Sequence, residues 1–268
     1  MKKFSLWGIA LMALMVFACS QEEESATPQD EVSPEILNQL KAIGFNTVDF
    51  DVKKIETGYI VERDILLTEE QIMNMSPAGT TPTEEHYSTD NLVTGTPRVI
   101  SVFVNMPQRY RDATDIAIAR YNAEPLNLTF QQVGSAAGAD MVIQASPFWY
   151  FWFGILGSAG FPTAGGDPFN EILLTRQFYD NVVNINGLAT TIAHEMGHCI
   201  GFRHTDYMDR SFSCGGAPDN EGDGGIGANY IPGTPVGPEA GSWMLACGSP
   251  EGDRPFTAND KTALNFLY

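Results

Sequence analysis

Basic side chains are scarce in this sequence: 15 Lys and Arg stand against 33 Asp and Glu, a net charge of −18. Such a surface repels phosphate backbones and anionic headgroups, so nucleic acid is not an expected partner. Cysteine is rarer still, four in 268 residues, which excludes a miniature scaffold stapled by disulfides. Long apolar runs are missing. The main one, Leu6 to Ala18, is too short to span a bilayer comfortably. No internal repeat is evident. The length suffices for one catalytic-sized domain plus a smaller unit.

Lys2 and Lys3 followed by that apolar run read as a targeting segment over residues 1–18. Its end, Val16-Phe17-Ala18-Cys19, resembles a bacterial lipobox, with Cys19 as the lipidated residue. Ser20-Gln21-Glu22-Glu23-Glu24 resembles the acidic signal that sends some lipoproteins of Gram-negative bacteria to the cell surface. The alternative is an ordinary cleaved signal peptide with a solvated acidic tail. Residues 19–32 read as a disordered tether. The expectation is an exported monomer, either secreted or held at the outer membrane or cell surface, touching the membrane only through its lipid anchor.

Histidine is the other rare residue. Of four in the chain, three fall in His194-Glu195-Met196-Gly197-His198-Cys199-Ile200-Gly201-Phe202-Arg203-His204. Histidines four apart on a helix share a face, so two imidazoles can converge on one ion. A third ligand six residues later would climb roughly 9 Å past the second if the helix continued. Gly201 can adopt the left-handed conformation that ends a helix and turns His204 back to the metal. Three imidazoles with an open fourth position are the pattern of a catalytic zinc site. Glu195, beside the first ligand, is the expected general base. Cys199 neighbours a ligand but is turned about 100° away from it, so it reads as a buried helix residue or a disulfide partner.

H-E-x-x-H-x-x-G-x-x-H resembles the metzincin clan of zinc endopeptidases, which also has a methionine-bearing turn beneath the metal. Ser242-Trp243-Met244 stands where that turn is expected, with Met244 as its methionine. Within the clan, His194 to Asp206, then Ile231-Pro232-Gly233-Thr234-Pro235, then Ser242 to Cys247 resemble the bacterial dual-action HEIGH metallopeptidases. Met196 stands where the family's name has isoleucine. The resemblance implies an α+β fold: a twisted mixed sheet with two helices, then a loop-rich C-terminal half with the methionine turn and a final helix. It also implies one catalytic Zn²⁺ and protein or peptide substrates. Astacins carry a tyrosine ligand two residues after the turn methionine; Ala246 occupies that position here.

Upstream, Val61-Glu62-Arg63-Asp64-Ile65 resembles the astacin pro-segment motif F-x-G-D-I, with Arg63 in place of the glycine. That resemblance makes Asp64 a candidate latency switch at the metal's open position; the alternative is a surface aspartate at a strand end. No cysteine lies between 20 and 198, which excludes a thiolate in that role. Residues 33–96 are thus an N-terminal segment, a candidate pro-segment with a linker, and 97–268 the metallopeptidase domain. The second functional reading is a non-catalytic or glycoprotein-directed surface lipoprotein that uses the peptidase fold for binding.

Local patterns fill in the elements. Ser33-Pro34-Glu35 opens a helix that Gly44 ends. Tyr59 to Leu67 reads as a strand, and Thr68-x-x-Gln71 as a capping box. Residues 74–96 look like linker, with His86 exposed in it. Arg98 to Val104, Leu126 to Val133 and Ala139 to Ala145 read as strands, and Gln108 to Asn122 as a helix. The active-site helix spans about Leu188 to Ile200, and Thr257-x-x-Asp260 caps a last helix. Phe148 to Phe153 is an aromatic run, either a cleft wall or glycan-stacking surface, or rings packed into the core. Gly157 to Pro162 is either an edge strand that pairs with substrate or a plain loop. Asp219-Asn220-Glu221-Gly222-Asp223-Gly224-Gly225 offers hard oxygen ligands for Ca²⁺, or is a solvated loop. Asp206 either supports the zinc ligands or caps a turn. Cys214 and Cys247 are the favoured disulfide pair.

Overall fold

Ser33 caps the first helix of the described residues. The computed structural model describes residues 32–48, 50–75, 86–221 and 227–268. The expected signal peptide, Cys19 and all of the tether but Val32 lie outside these residues, as do 76–85 of the linker and 222–226 of the acidic loop. Among the described residues no helix is long and apolar enough to cross a membrane.

In α1 (Pro34–Ala42) the Ser33 side chain accepts from the Ile36 amide, Ile36 and Leu40 face inward, and Gly44 at φ 103° turns the chain away. β1 (Lys53–Ile55) follows. Residues 59–67, expected as one strand, form two: β2 (Gly58–Val61) and β3 (Ile65–Leu67), paired antiparallel with Val61 opposite Ile65. Glu62 and Arg63 make the turn at φ 51° and 83°. Neither is a turn-forming type, so the left-handed backbone left no trace in the sequence pattern. α2 (Glu69–Asn74) starts on the Thr68/Gln71 capping box.

β4 (Tyr87–Ser88), β5 (Arg98–Val104), α3 (Gln108–Asn122), β6 (Leu128–Val133) and β7 (Met141–Ala145) come next. The aromatic run forms a 3₁₀ turn, Phe148–Phe153, before β8 (Gly157–Ala159), β9 (Glu171–Leu174) and α4 (Arg176–Tyr179). α5 (Ile185–Cys199) carries the histidine motif. α6 (Ser211–Cys214), β10 (Asn229–Tyr230) and α7 (Ala258–Leu267) complete the chain, the last capped by Thr257 and Asp260.

The main sheet has the order β1-β2-β3-β8-β9-β7-β5-β6, mixing parallel and antiparallel pairs, so the fold is α+β as the motif order implied. β5 buries Ile100, Val102 and Val104 in strict alternation. α3 adds Ala113, Ala117 and Tyr121 to the same core, and the Tyr121 hydroxyl donates to the Ala193 carbonyl of α5 at 2.7 Å. Each large side chain so buried contributes roughly 1.5–3 kcal/mol. That core is the platform under the zinc-motif helix.

Residues 32–268 form one compact unit, with β1–β3 extending the sheet. Even so, the N-terminal elements have a second, smaller core of their own. Ile36, Leu40, Ile43, Phe45, Tyr59, Val61, Ile65, Leu67 and Ile72 fill it, and Phe161 comes from the body. β8 is a strand, but not an edge: β3 pairs with it in parallel on one side and β9 antiparallel on the other. The edge expected to be free is taken by the chain's own N-terminal segment.

Candidate metal centre and active site

Asn184 caps α5 through its side chain, which accepts from the Asn186 amide, and every residue from Gly187 to Cys199 is buried. His194 and His198 therefore project from one face of a helix with no solvent side. Gly201, at φ 105°, ends the helix; its amide donates to His198 O at 2.9 Å. A Cβ there would stand 2.8 Å from Leu92 Cδ2, so both the backbone and the space require glycine. The reversal returns His204 to the face it left, with its Nε2 3.2 Å from His198 Nε2.

Asp64 joins them. Its Oδ2 is 3.2 Å from His204 Nε2, and one ligand atom from each of Asp64, His194, His198 and His204 lies within 4.8 Å of the others. Each Nδ1 is already engaged: His194 with Trp243 O at 2.8 Å, His198 with Phe202 O at 2.8 Å, His204 with Glu221 Oε1 at 2.5 Å. Three imidazoles so held turn three Nε2 atoms toward one point. The two 3.2 Å spacings about His204 Nε2 are close to the edge of a tetrahedron around a metal bound at about 2.0–2.1 Å, and three imidazoles beside a carboxylate are a donor set that fits zinc. Burial and then His204 push His194 down to about 4, keeping it neutral. Burial likewise holds His198 well below its usual value.

Glu195 is 2% exposed, and its Oε2 has no hydrogen-bond partner among the described residues. Burial, then Asp64, raise its pKa well above the usual carboxylate range, with His204 opposing. β8 passes directly over it: a Cβ on Gly157 would lie 2.7 Å from Glu195 Oε1. Beneath the site, Met244 is fully buried, and a Cβ on Gly197 would meet its Sδ at 2.6 Å. Gly197 thus has a packing reason that the spacing alone did not reveal. The turn is fixed from below by Asp260, whose carboxylate accepts from Ser242 Oγ at 2.7 Å and Trp243 N at 3.3 Å.

Glu221 is the principal residue that sequence reasoning missed. Expected as part of a solvated or calcium-binding loop, it is fully buried and holds His204 from behind. Arg203 Nη2 donates to it at 3.4 Å, and Arg210 Nη1 stands 3.0 Å from its Oε1, a coulombic contact without aligned hydrogen-bond geometry. Burial opposes its charge, but His204 and Arg210 outweigh that and pull its pKa down. Burial also opposes charge on His204; Glu221 and Asp64 overrule it and raise that imidazole to about 10. Glu62, from the N-terminal segment, completes the cluster 3.5 Å from Arg210, raised by burial and by Glu221. With its carboxylate spent on His204 and the arginines, Glu221 offers calcium nothing. Among the described residues the metal-binding cluster is the one at Asp64 and the three histidines. No local signal marks Glu221; only the folded loop brings it to a histidine 17 residues earlier.

Other expectations resolve as follows. Asp206 makes no side-chain hydrogen bond to the ligands among the described residues and acts on His204 only through its charge: it accepts from Ser213 Oγ at 2.5 Å and Ala246 N at 2.8 Å, tying two loops together. His86, expected exposed, is fully buried with Nε2 2.7 Å from Asp260 Oδ1, because β4 pairs with β10 and draws the end of the linker inward. Cys214 and Cys247 form the disulfide, and Cys199 is buried and free. In the aromatic run only Tyr150 is buried; Trp152 is 72% exposed and Phe148 57%.

The family model of the dual-action HEIGH metallopeptidases matches residues 59–268. Two solved structures, "Structure of Myroilysin" and "Crystal structure of myroilysin", are each 14% identical; they cover 66% and 67% of this chain and 82% and 86% of theirs, with TM-scores of 0.42 and 0.41. Comparison with curated proteins finds no match. The matched stretch is most of the chain and includes the histidine motif, Glu195, Glu221 and Met244, so the chain belongs to the dual-action HEIGH metallopeptidase family.

Proposed function

We propose that this chain is a zinc-dependent endopeptidase of extracellular proteins, exported, lipid-anchored through Cys19, and held latent by Asp64. One observation carries the reading: three imidazoles anchored through Nδ1, converging beside a buried carboxylate oxygen with no partner among the described residues. His194, His198 and His204 would hold zinc, which would supply Lewis acidity to polarise the scissile carbonyl and acidify the attacking water. Glu195 accepts the proton of the attacking water and returns it to the leaving amine. Burial suits Glu195 to this exchange, since a carboxylate raised above its usual range holds a proton more readily once it has taken one. β8 aligns an extended substrate through its main chain once β3 has left it. Until then Asp64 occupies the position that water and substrate need.

The test is metal content and casein cleavage of the purified chain, with activity abolished by a chelator and restored by zinc. Glu195→Gln retains the metal and loses about 10²–10⁴-fold in rate; equal activity of that variant and the parent removes Glu195 from the mechanism. Asp64→Ala in the full chain raises activity before any processing, and an unchanged rate removes Asp64 as the switch. Cys19→Ser releases the protein from membrane fractions. The exposed Trp152 favours one variant of the reading, in which the substrate is a glycoprotein whose sugar rings stack on that face; cleavage of a glycosylated protein but not its deglycosylated form decides it.

A further inference from the structure

A cavity of about 170 Å³ opens beside the site, lined by Thr190, Thr191, His194, Glu195, Leu245 and Arg254 among others. His194 and Glu195 belong to its wall, whereas His198 and His204 do not. Glu195 must reach the leaving amine, so this is the side on which the residue following the scissile bond lies. The cavity has room for one side chain.

Arg254 is the unusual part of that wall. Arg98, Arg120, Arg176, Arg203 and Arg210 each sit against a carboxylate; of the arginines that do not, Arg109 and Arg111 lie away from the cavity and Arg63 is exposed, so Arg254 is the half-buried one in its wall. Arg254 is half-buried, and among the described residues it forms no ion pair. Its Nη1 donates to Cys247 O at 3.0 Å, and its backbone amide to Thr190 Oγ1 at 2.9 Å, so the side chain is held in place. Burial lowers its pKa, and the carboxylate opposing that shift, Asp206, is itself spent on Ser213 and Ala246. In a chain with 33 acidic residues, an arginine anchored on Cys247 O and without an ion pair among the described residues lines the cavity it shares with His194 and Glu195, close enough to act electrostatically on His194. Its fork of donors matches a carboxylate.

We propose that Arg254 makes this pocket select an acidic side chain, aspartate or glutamate, on the residue that follows the scissile bond. The inference rests on the endopeptidase reading above. Arg63 and Asp64 line the same cavity, so in the full-length chain the N-terminal segment contributes to the wall that such a residue would meet.

The experiment uses peptides identical except for Asp, Glu, Asn, Leu or Lys after the cleaved bond. They are digested by the zinc-loaded chain and by its Asp64→Ala form, with kcat/KM measured for each. The Asp and Glu peptides are expected to exceed the Asn peptide by about tenfold or more. Arg254→Lys keeps that order. Arg254→Ala brings Asp and Asn to near equality, and Arg254→Glu turns the preference toward Lys, with zinc content and thermal midpoint recorded for each variant. Equal cleavage of the Asp and Asn peptides by the parent, or a preference that survives Arg254→Ala, overturns this inference alone. Failure of every peptide with both metal-loaded forms overturns the endopeptidase reading and this inference with it.

Discussion

The metal site has two unlike sides. His194 and His198 lean on backbone carbonyls, Trp243 O and Phe202 O, within the apolar core under α5. His204 leans on a carboxylate, Glu221, inside a buried cluster of charges that includes Arg203, Arg210 and, from the N-terminal segment, Glu62. The first side keeps its imidazoles neutral by burial. The second draws a proton to its imidazole. One side is shaped by packing, so it resists changes of volume; the other is balanced by charge, so it resists changes of charge.

Glu221→Ala is the strongest way to break the charged side. It leaves Arg203 and Arg210 buried without their shared counter-ion, a loss of about 3–5 kcal/mol in unfolding stability. It also frees His204, lowering metal affinity by about 10–100-fold. Denaturant unfolding and zinc titration check the two effects separately. The loss is larger still when Glu62→Gln is added, because Glu62 can ionise to cover Arg210 once Glu221 is gone; strict additivity shows that the two carboxyls are not coupled.

The packed side answers to Gly197→Ala. The new Cβ collides with Met244 Sδ, and about 1–3 kcal/mol of overpacking strain follows. The thermal midpoint should fall while the metal is still bound. A variant as stable as the parent shows that the methionine turn moves freely.

pH sharpens the comparison. His204 is raised to about 10 in the metal-free protein, so its contribution to stability is full below its unfolded value of about 6.5 and fades as pH rises through 10. A metal needs that imidazole neutral. Between about pH 6.5 and 10 its binding therefore releases close to one proton, and affinity weakens about tenfold for each unit of acidification. Calorimetry in two buffers of different ionisation enthalpy reads the released proton directly. Its absence would make the two sides alike. The smallest effect belongs to Ser213→Ala, which removes one hydroxyl from buried Asp206 and costs about 1 kcal/mol with the metal site intact.

Much of the scaffold was legible in the chain. Arg98–Val104 and Gln108–Asn122 fold over the residues that their periodicity marked, and both capping boxes form. The failures share a cause. The Glu62-Arg63 turn has glycine-like backbone angles without a glycine. His86 looked exposed because its short strand has no pattern of its own, yet its partner β10 lies more than 140 residues onward. β8 looked like an open edge because nothing near it in sequence fills that edge; β3, some 90 residues earlier, does.

The sequence by itself determined the ligand face: His194, His198 and the glycine-broken return to His204 follow from helical pitch and backbone sterics, which act over a few residues. The methionine turn was placed by resemblance, and only the fold brought it against Gly197. Asp64 was likewise a candidate by resemblance, but only the fold set it in front of that face, and tertiary structure alone put Glu221 behind it. Glu221 behind His204 and Asp64 before it come from loops 17 and 140 residues away, and no local rule fixes contacts closed over such distances. Those contacts depend on burying charge beside opposite charge, a balance that exists only once the chain has folded.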